Sequence, residues 1–214
     1  GMTDITPSLK RLEVGASLSI TELLRISSLL SVALRVKTYG RKEQEENEEP
    51  DCLQTRFSYI EPLSNLNNEI TRCILSEEEV SDNASAGLRE VRRQIKLTNQ
   101  KIHDQLNQIL NRSRSMLQDG LITMRNGRYC IPVKAEHKSN VPGMIHDQSA
   151  TGSTIFVEPM GVVQMNNELS ELAIKEQREI EKILADLSNL LAEHIEEIHK
   201  DLMVLSQLDF IFAR

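Results

Sequence analysis

Proline occurs at positions 7, 50, 62, 132, 142 and 159 and nowhere else, which leaves residues 63–131 and 160–214 free of it. Inside a helix a proline removes a backbone donor and clashes with the preceding turn, so only windows of this kind admit very long helices. One long helix is therefore expected in each window. In the first, Leu88, Val91, Ile95, Thr98, Ile102, Leu106 and Ile109 recur at spacings of three and four, which predicts a helix over about 84–117 with a narrow apolar stripe. In the second, Leu169, Leu172, Ile180, Ile183, Leu187, Leu191, Ile195, Ile198, Leu202 and Leu205 predict a helix over about 162–212. At 1.5 Å per residue the latter would be about 75 Å long, so it must project or pair.

Charge favours pairing. Residues 88–114 carry Arg89, Arg92, Arg93, Lys96, Lys101, Arg112 and Arg114 against Glu90 and Asp104, a balance of +5, whereas residues 160–214 balance to −6. Opposite charge blocks beside two apolar seams favour antiparallel packing of one helix on the other and disfavour self-pairing. Two solvated faces of unlike sign are the plainer alternative. The scarcity of aromatics, at 3%, suits helices closed by aliphatic seams.

The N-terminal block opens a helix at about 20–39 through Ser19-Ile-Thr-Glu22, a serine followed three residues on by glutamate. Leu23, Leu24, Leu30, Val32, Leu34 and Val36 give it a broad apolar face, and Gly40 stands where a C-terminal stop is expected. Residues 41–51, nearly all polar, read as a mobile linker, and a short helix near 64–75 re-enters the fold. Gly1-Met2 reads as an expression remnant ahead of a longer natural sequence.

Between the long helices the apolar period changes from three-four to two. Residues 121–125 and 128–135 flank Asn126-Gly127, a strong hairpin signal because both turn positions need positive φ. Pro132 cannot donate to a ladder, so its strand is expected at an edge or bulged. Turns at 139–143 and 151–152 then separate strands at 144–148 and 153–157, an antiparallel meander of three or four strands inserted between the helices. The fold expected is mainly α: long helices forming an antiparallel coiled-coil-like arm with a small antiparallel β subdomain at its tip. Its parts are a helical core and ascending long helix over 1–120, the β-rich tip over 121–158 and a descending long helix over 159–214.

Within 121–157, Arg125, Arg128, Lys134 and Lys138 outnumber Glu136 and Asp147 to give +2 in a chain of −7, and His137, His146, Gln148, Ser149, Thr151, Ser153 and Thr154 add neutral donors. A small basic, hydroxyl-rich platform suits a phosphate backbone, where cations neutralise charge and hydroxyls fix register. Arg125, Arg128, Lys134 and Lys138 are the candidate contacts, with His146 and Gln148 beside them; strand alternation would turn half of them inward.

No catalytic constellation emerges. Ser149-Ala-Thr-Gly-Ser-Thr154 lacks the lysine of a phosphate loop and joins strands instead of opening a helix. His194 and His199 are five residues apart, about 140° around a helix, and show no third ligand. Cys52, Cys73 and Cys130 form no CxxC pair, so neither a disulfide framework nor a zinc site is expected. No stretch approaches the roughly 18 apolar residues of a membrane span, and no signal peptide opens the chain, which points to the cytoplasm.

The segment Leu121-Ile-Thr-Met-Arg-Asn-Gly-Arg-Tyr-Cys-Ile-Pro-Val-Lys-Ala-Glu-His137, with Val141-Pro-Gly-Met-Ile-His-Asp-Gln-Ser-Ala-Thr-Gly-Ser-Thr-Ile-Phe-Val-Glu-Pro159 and Asn166-Asn-Glu-Leu169, resembles the bacterial MutS paralogues of the second branch, which carry a C-terminal Smr domain. Asp4–Lys10, Ser19–Leu24 and Leu208–Arg214 resemble the same family. That resemblance implies lever helices with a clamp at their tip, ending before an ABC-type ATPase domain and an Smr nuclease domain. It also implies a dimeric parent that hydrolyses ATP with magnesium, binds branched or non-standard DNA and suppresses homologous recombination, or acts on collided ribosomes through ribosomal RNA. The chain lacks both phosphate-binding motifs and the Smr region, so no catalysis of its own is expected and its dimerisation is open. Two readings remain: a nucleic-acid clamp and lever, or a structural arm whose tip meets protein.

Overall fold

A computed structural model describes residues 4–46 and 52–212. The fold is mainly α with two small antiparallel sheets, and the chain divides into two compact units, Gly1–Leu88 with Glu179–Arg214, and Arg89–Arg178. Among the described residues no helix is long and apolar enough to cross a membrane.

The first unit holds α1 (Thr6–Glu13), α2 (Ile20–Glu46), α3 (Cys52–Tyr59), α4 (Ser64–Cys73) and a hairpin of β1 (Ile74–Ser76) and β2 (Glu79–Val80). The reciprocal cap at α2 forms as its sequence requires. Ser19 Oγ accepts from Glu22 N at 3.3 Å, and Glu22 Oε2 accepts from Ser19 N at 2.9 Å and from Arg11 Nη1 at 2.8 Å. Leu23, Ile26, Leu30 and Ala33 of α2 are buried with Leu9, Ile70 and Leu191.

The expected stop at Gly40 is not where α2 ends: the helix continues to Glu46. Gly40 is packed against Phe57 of α3, so closely that an added Cβ would overlap the ring. A helix-interior glycine costs about 1 kcal/mol against alanine, and here close helix packing supplies the reason to keep it. Residues 41–46 of the expected linker are thus helical, and 47–51 lie outside the described residues.

The expected single helix over 162–212 is two helices, α6 (Met160–Ala192) and α7 (Ile195–Phe212). Neither proline nor glycine marks the break. Ser188 Oγ donates back to Leu184 O at 2.7 Å and accepts from Leu18 N at 2.9 Å, a side-chain bond that bends helices. Just beyond, His194 N bonds Leu191 O, a three-residue step that tightens the backbone. Past the break α7 buries Ile198, Val204, Leu205 and Leu208 in the core it shares with α1, α2 and α3.

Asp201 is the polar exception on that face. It is fully buried; Oδ1 accepts from Glu61 N at 2.8 Å, and Oδ2 has no partner among the described residues. Burial, with the Glu61 charge nearby, outweighs the Glu61 N–H and pushes the carboxyl from 3.8 up to about 6.

The second unit contains α5 (Ala86–Arg112) from Arg89, α6 to Arg178, and the sheet. Arg92 Nε meets Glu176 Oε1 at 2.7 Å, Thr98 Oγ1 donates to Glu168 Oε1 at 3.5 Å, and the Gln105 side chain lies on Gly161. Each advance along α5 thus meets a retreat along α6, the antiparallel pairing that the charge blocks favour. Four strands, β3 (Thr123–Arg125), β4 (Arg128–Lys134), β5 (Gly143–Gln148) and β6 (Thr154–Pro159), lie in the order β3-β4-β6-β5. The order is not a meander, because a 3-10 turn over Ala135–Asn140 carries the chain past β6 to the outer edge. Ile131, Val133, Ile155 and Val157 pack with Ile102, Leu106 and Leu110 of α5 and Val162 of α6.

The Asn126-Gly127 turn is left-handed at both positions, with φ of 53° and 73°. β4 lies inside the sheet, not at its edge, yet Pro132 is tolerated for a local reason. β3 has already ended beside Cys130, and the Pro132 carbonyl accepts from Gln118 N at 3.0 Å. A residue's N and C=O point to one side of a strand, so the missing donor faces Gln118 instead of β6.

The raised Asp201 carboxyl sets a testable pH dependence. The folded chain holds this proton more tightly than the unfolded chain, so Asp201 adds stability as pH falls through about 6 and loses it as pH rises. Urea titrations should show a gain on the order of 1 kcal/mol between about pH 7 and pH 5. Asp201→Asn, which keeps the acceptor for Glu61 N, should abolish that gain.

Candidate nucleic-acid interface

A carboxylate buried in the sheet organises this region. Glu158, on β6, has a fully buried side chain and receives four donors. Arg128 on β4 supplies Nε at 3.1 Å and Nη2 at 2.5 Å, Asn166 on α6 supplies Nδ2 at 2.7 Å, and His146 on β5 supplies Nε2 at 2.6 Å. Burial alone would raise this carboxyl, but the bonds from Arg128, Asn166 and His146 and the Arg128 charge hold it below the ordinary carboxylate value. Arg128 also donates to Asn167 Oδ1 at 2.7 Å and Val163 O at 3.3 Å, which leaves its guanidinium little freedom.

Asn166 completes the strand it touches. Its Oδ1 accepts from Tyr129 N at 3.2 Å and its Nδ2 donates to Tyr129 O at 3.3 Å, so one side-chain amide replaces a neighbouring strand before β6 begins to pair at Ile131. His146 sits in the β5 bulge between Ile145 and Asp147, which turns its ring toward Glu158. Cys130 on the same strand as Arg128 is buried, and burial with the Glu158 charge pushes its thiol up to about 11.

Arg125 crosses the sheet from β3. Its guanidinium carbon lies 3.9 Å from the centroid of Phe156, its Nε is 3.1 Å from Asp147 Oδ2, and its Nη1 donates to Met124 O at 2.9 Å. Asn126 Nδ2 donates to His146 O at 3.1 Å, which holds the hairpin turn over β5.

The other candidates gather elsewhere on the unit. Ala135 N donates to Ser153 O at 2.9 Å, which places the 3-10 turn over Ala135–Asn140 beside the 149–153 turn. In that second turn Thr151 Oγ1 lies 2.8 Å from Ser153 Oγ and 3.4 Å from Ser149 Oγ, and Gln148 Nε2 donates to Gly152 O at 3.1 Å. Lys134 precedes the 3-10 turn, with Nζ 3.3 Å from Ser115 O, and lines a shallow 400 Å³ depression with Gln118, Glu136 and Ser153. Side chains three apart eclipse in a 3-10 turn, so exposed Lys138 lies on the same side as Ala135.

The six sequence candidates therefore separate. Exposed Lys138, Gln148, Thr151 and Ser153 and half-buried Lys134 and Ser149 belong to one pair of adjoining turns; Arg128 and His146 hold Glu158; Arg125 is tied to Asp147. Extending the window by one residue brings in Glu158 and lowers the segment's balance from +2 to +1. Glu158, Asn166 and Asn167 are not among the residues that the sequence singles out for the site. The available signal was a lone carboxylate in the apolar strand Ile155-Phe-Val-Glu-Pro159. Among the described residues no three His, Cys, Asp or Glu side chains gather to hold a metal, and His194 and His199 face different carboxylates, Glu197 and Glu13.

No family model matches the chain. Over its full length it is 58% identical to Endonuclease MutS2 of Lachnoclostridium phytofermentans and covers 28% of that protein. It is 57% identical to Endonuclease MutS2 of Agathobacter rectalis and 44% identical to that of Alkaliphilus oremlandii, in each case over the whole chain and 27% of the relative. The chain thus spans little more than a quarter of the length of these curated relatives.

Removing one partner of a buried ion pair leaves the other charge stranded. Arg128→Ala should cost about 3–5 kcal/mol in urea unfolding, against less than about 0.5 kcal/mol for Lys138→Ala. Because the Glu158 carboxyl lies below its ordinary value, its contribution should be complete above pH 4.5 and fall away as pH drops toward its own lower value.

Proposed function

Because the chain resembles a segment of the MutS2 endonucleases from end to end, we propose that it is the nucleic-acid-contacting segment of a protein of that type. Contact runs through the platform of Lys134, Lys138, Gln148, Ser149, Thr151 and Ser153. The observation that carries this reading is the bond from Ala135 N to Ser153 O, which brings two turns from separate parts of the chain into one surface of cations and hydroxyls. Such a surface recognises phosphate: lysine neutralises charge, and hydroxyls donate to phosphate oxygens without reading bases.

In the parent protein the target is branched or otherwise non-standard DNA, with suppression of homologous recombination as the outcome, or ribosomal RNA of collided ribosomes. ATP and magnesium belong to parts of the parent outside this chain, as does nuclease chemistry. The paired helices α5 and α6 carry nucleotide-driven movement to the platform. The parent acts as a homodimer in the cytoplasm.

Titrating fluorescently labelled duplex DNA, branched DNA and RNA with the chain at low and moderate salt tests the reading. Binding should be weak and fall steeply with salt, and Lys134→Glu with Lys138→Glu should weaken it by more than about tenfold. Absence of binding at low salt, or a double variant that binds like the parent chain, favours the structural arm that meets protein.

A further inference from the structure

We propose that Asp147 is a competing anion that withholds Arg125 from nucleic acid and so limits the affinity of the platform. The inference rests on the nucleic-acid reading above. Arg125 is the arginine of the sheet with freedom to move, because Arg128 is only 17% exposed and bound to a carboxylate that is 0% exposed. The pair of Arg125 and Asp147 differs in kind: its side chains are 36% and 51% exposed. Exposed ion pairs are weak and screened by salt, so this one exchanges readily for a stronger anion.

Three contacts define the held state. Nε faces Asp147 Oδ2 at 3.1 Å, Nη1 donates to Met124 O at 2.9 Å, and the guanidinium carbon lies 3.9 Å from the centroid of the Phe156 ring. With Nε engaged, the Nε–Nη2 edge of the planar fork cannot grip a phosphate without leaving Asp147, and while the pair lasts the Asp147 charge offsets that of the guanidinium. Asp147 is fixed in its role by Gln148 N, which donates to its Oδ1 at 2.8 Å, and Gln148 itself belongs to the platform. The carboxylate therefore stands beside the phosphate-facing turn and also occupies the arginine that would strengthen it. Its removal adds a cationic contact and leaves the buried Glu158 centre untouched.

A double-mutant cycle in the 214-residue chain tests this, with fluorescence anisotropy of labelled duplex DNA as the readout. Asp147→Asn keeps an acceptor for Gln148 N and removes the charge; it should tighten binding roughly threefold to tenfold at moderate salt and steepen the log–log salt slope by about 0.9. In an Arg125→Ala background the same substitution should give no gain. A gain that persists without Arg125 overturns the proposal, since it would reflect only the loss of a repelling charge, and so does an unchanged affinity in Asp147→Asn. Lys134→Glu with Lys138→Glu, measured alongside, separates the two ideas. Loss of binding there with no effect of Asp147→Asn sinks the role of Asp147 alone, whereas no binding by any variant at low salt sinks both.

Discussion

The burial of Glu158 is the constraint on which the sheet depends. A carboxylate with no solvent exposure is tolerable only when its charge and lone pairs are matched, and the matching groups here come from β4, β5 and α6. Arg128 ties the hairpin to the first turns of α6 through Asn167 and Val163 O, Asn166 substitutes for a missing strand at Tyr129, and His146 explains why β5 is bulged. A well-packed apolar residue at 158 would fill the space, but it would not specify the register in which these elements come together.

That constraint also decides which cations remain for a ligand. From composition Arg125, Arg128, Lys134 and Lys138 look equivalent; in the fold they are three different things. One neutralises a buried acid, one is held over an aromatic ring by an exposed acid, and two stand beside a hydroxyl-lined turn. Lysines with hydroxyls form a surface suited to the shape and charge of a phosphate backbone, without aromatic faces on which bases could stack. Tyr129, the aromatic on β4, is engaged with Asn99 and His103, and Phe156 lies under Arg125.

Local features were legible in the sequence because local chemistry determines them. The Ser19-to-Glu22 cap, the Asn126-Gly127 turn and the end of α4 near Cys73 are encoded within a few residues of where they act, and the pairing of α5 with α6 shows in the net charge of each helix. What was illegible depends on partners distant in sequence. Gly40 reads as a helix stop until Phe57 is known to lie on it. The split between α6 and α7 needs Ser188, bonded to Leu18, and the packing of α7 on the N-terminal helices. The pairing of β4 with β6 requires the chain to pass one strand by, which alternation cannot indicate. At the candidate site alternation cannot separate Arg128 from Lys134, six residues apart on one face of β4; the position of Glu158 does.

The proposed contact sets phosphate against Lys134 and Lys138, with the Glu158 centre holding the sheet beneath them. Lysine acetylation footprinting of the chain with and without duplex DNA measures this residue by residue. Lys134 and Lys138 should become protected while Lys10 and Lys200 of the other unit react as before. Protection of Lys10 and Lys200 with Lys134 and Lys138 unchanged would contradict it.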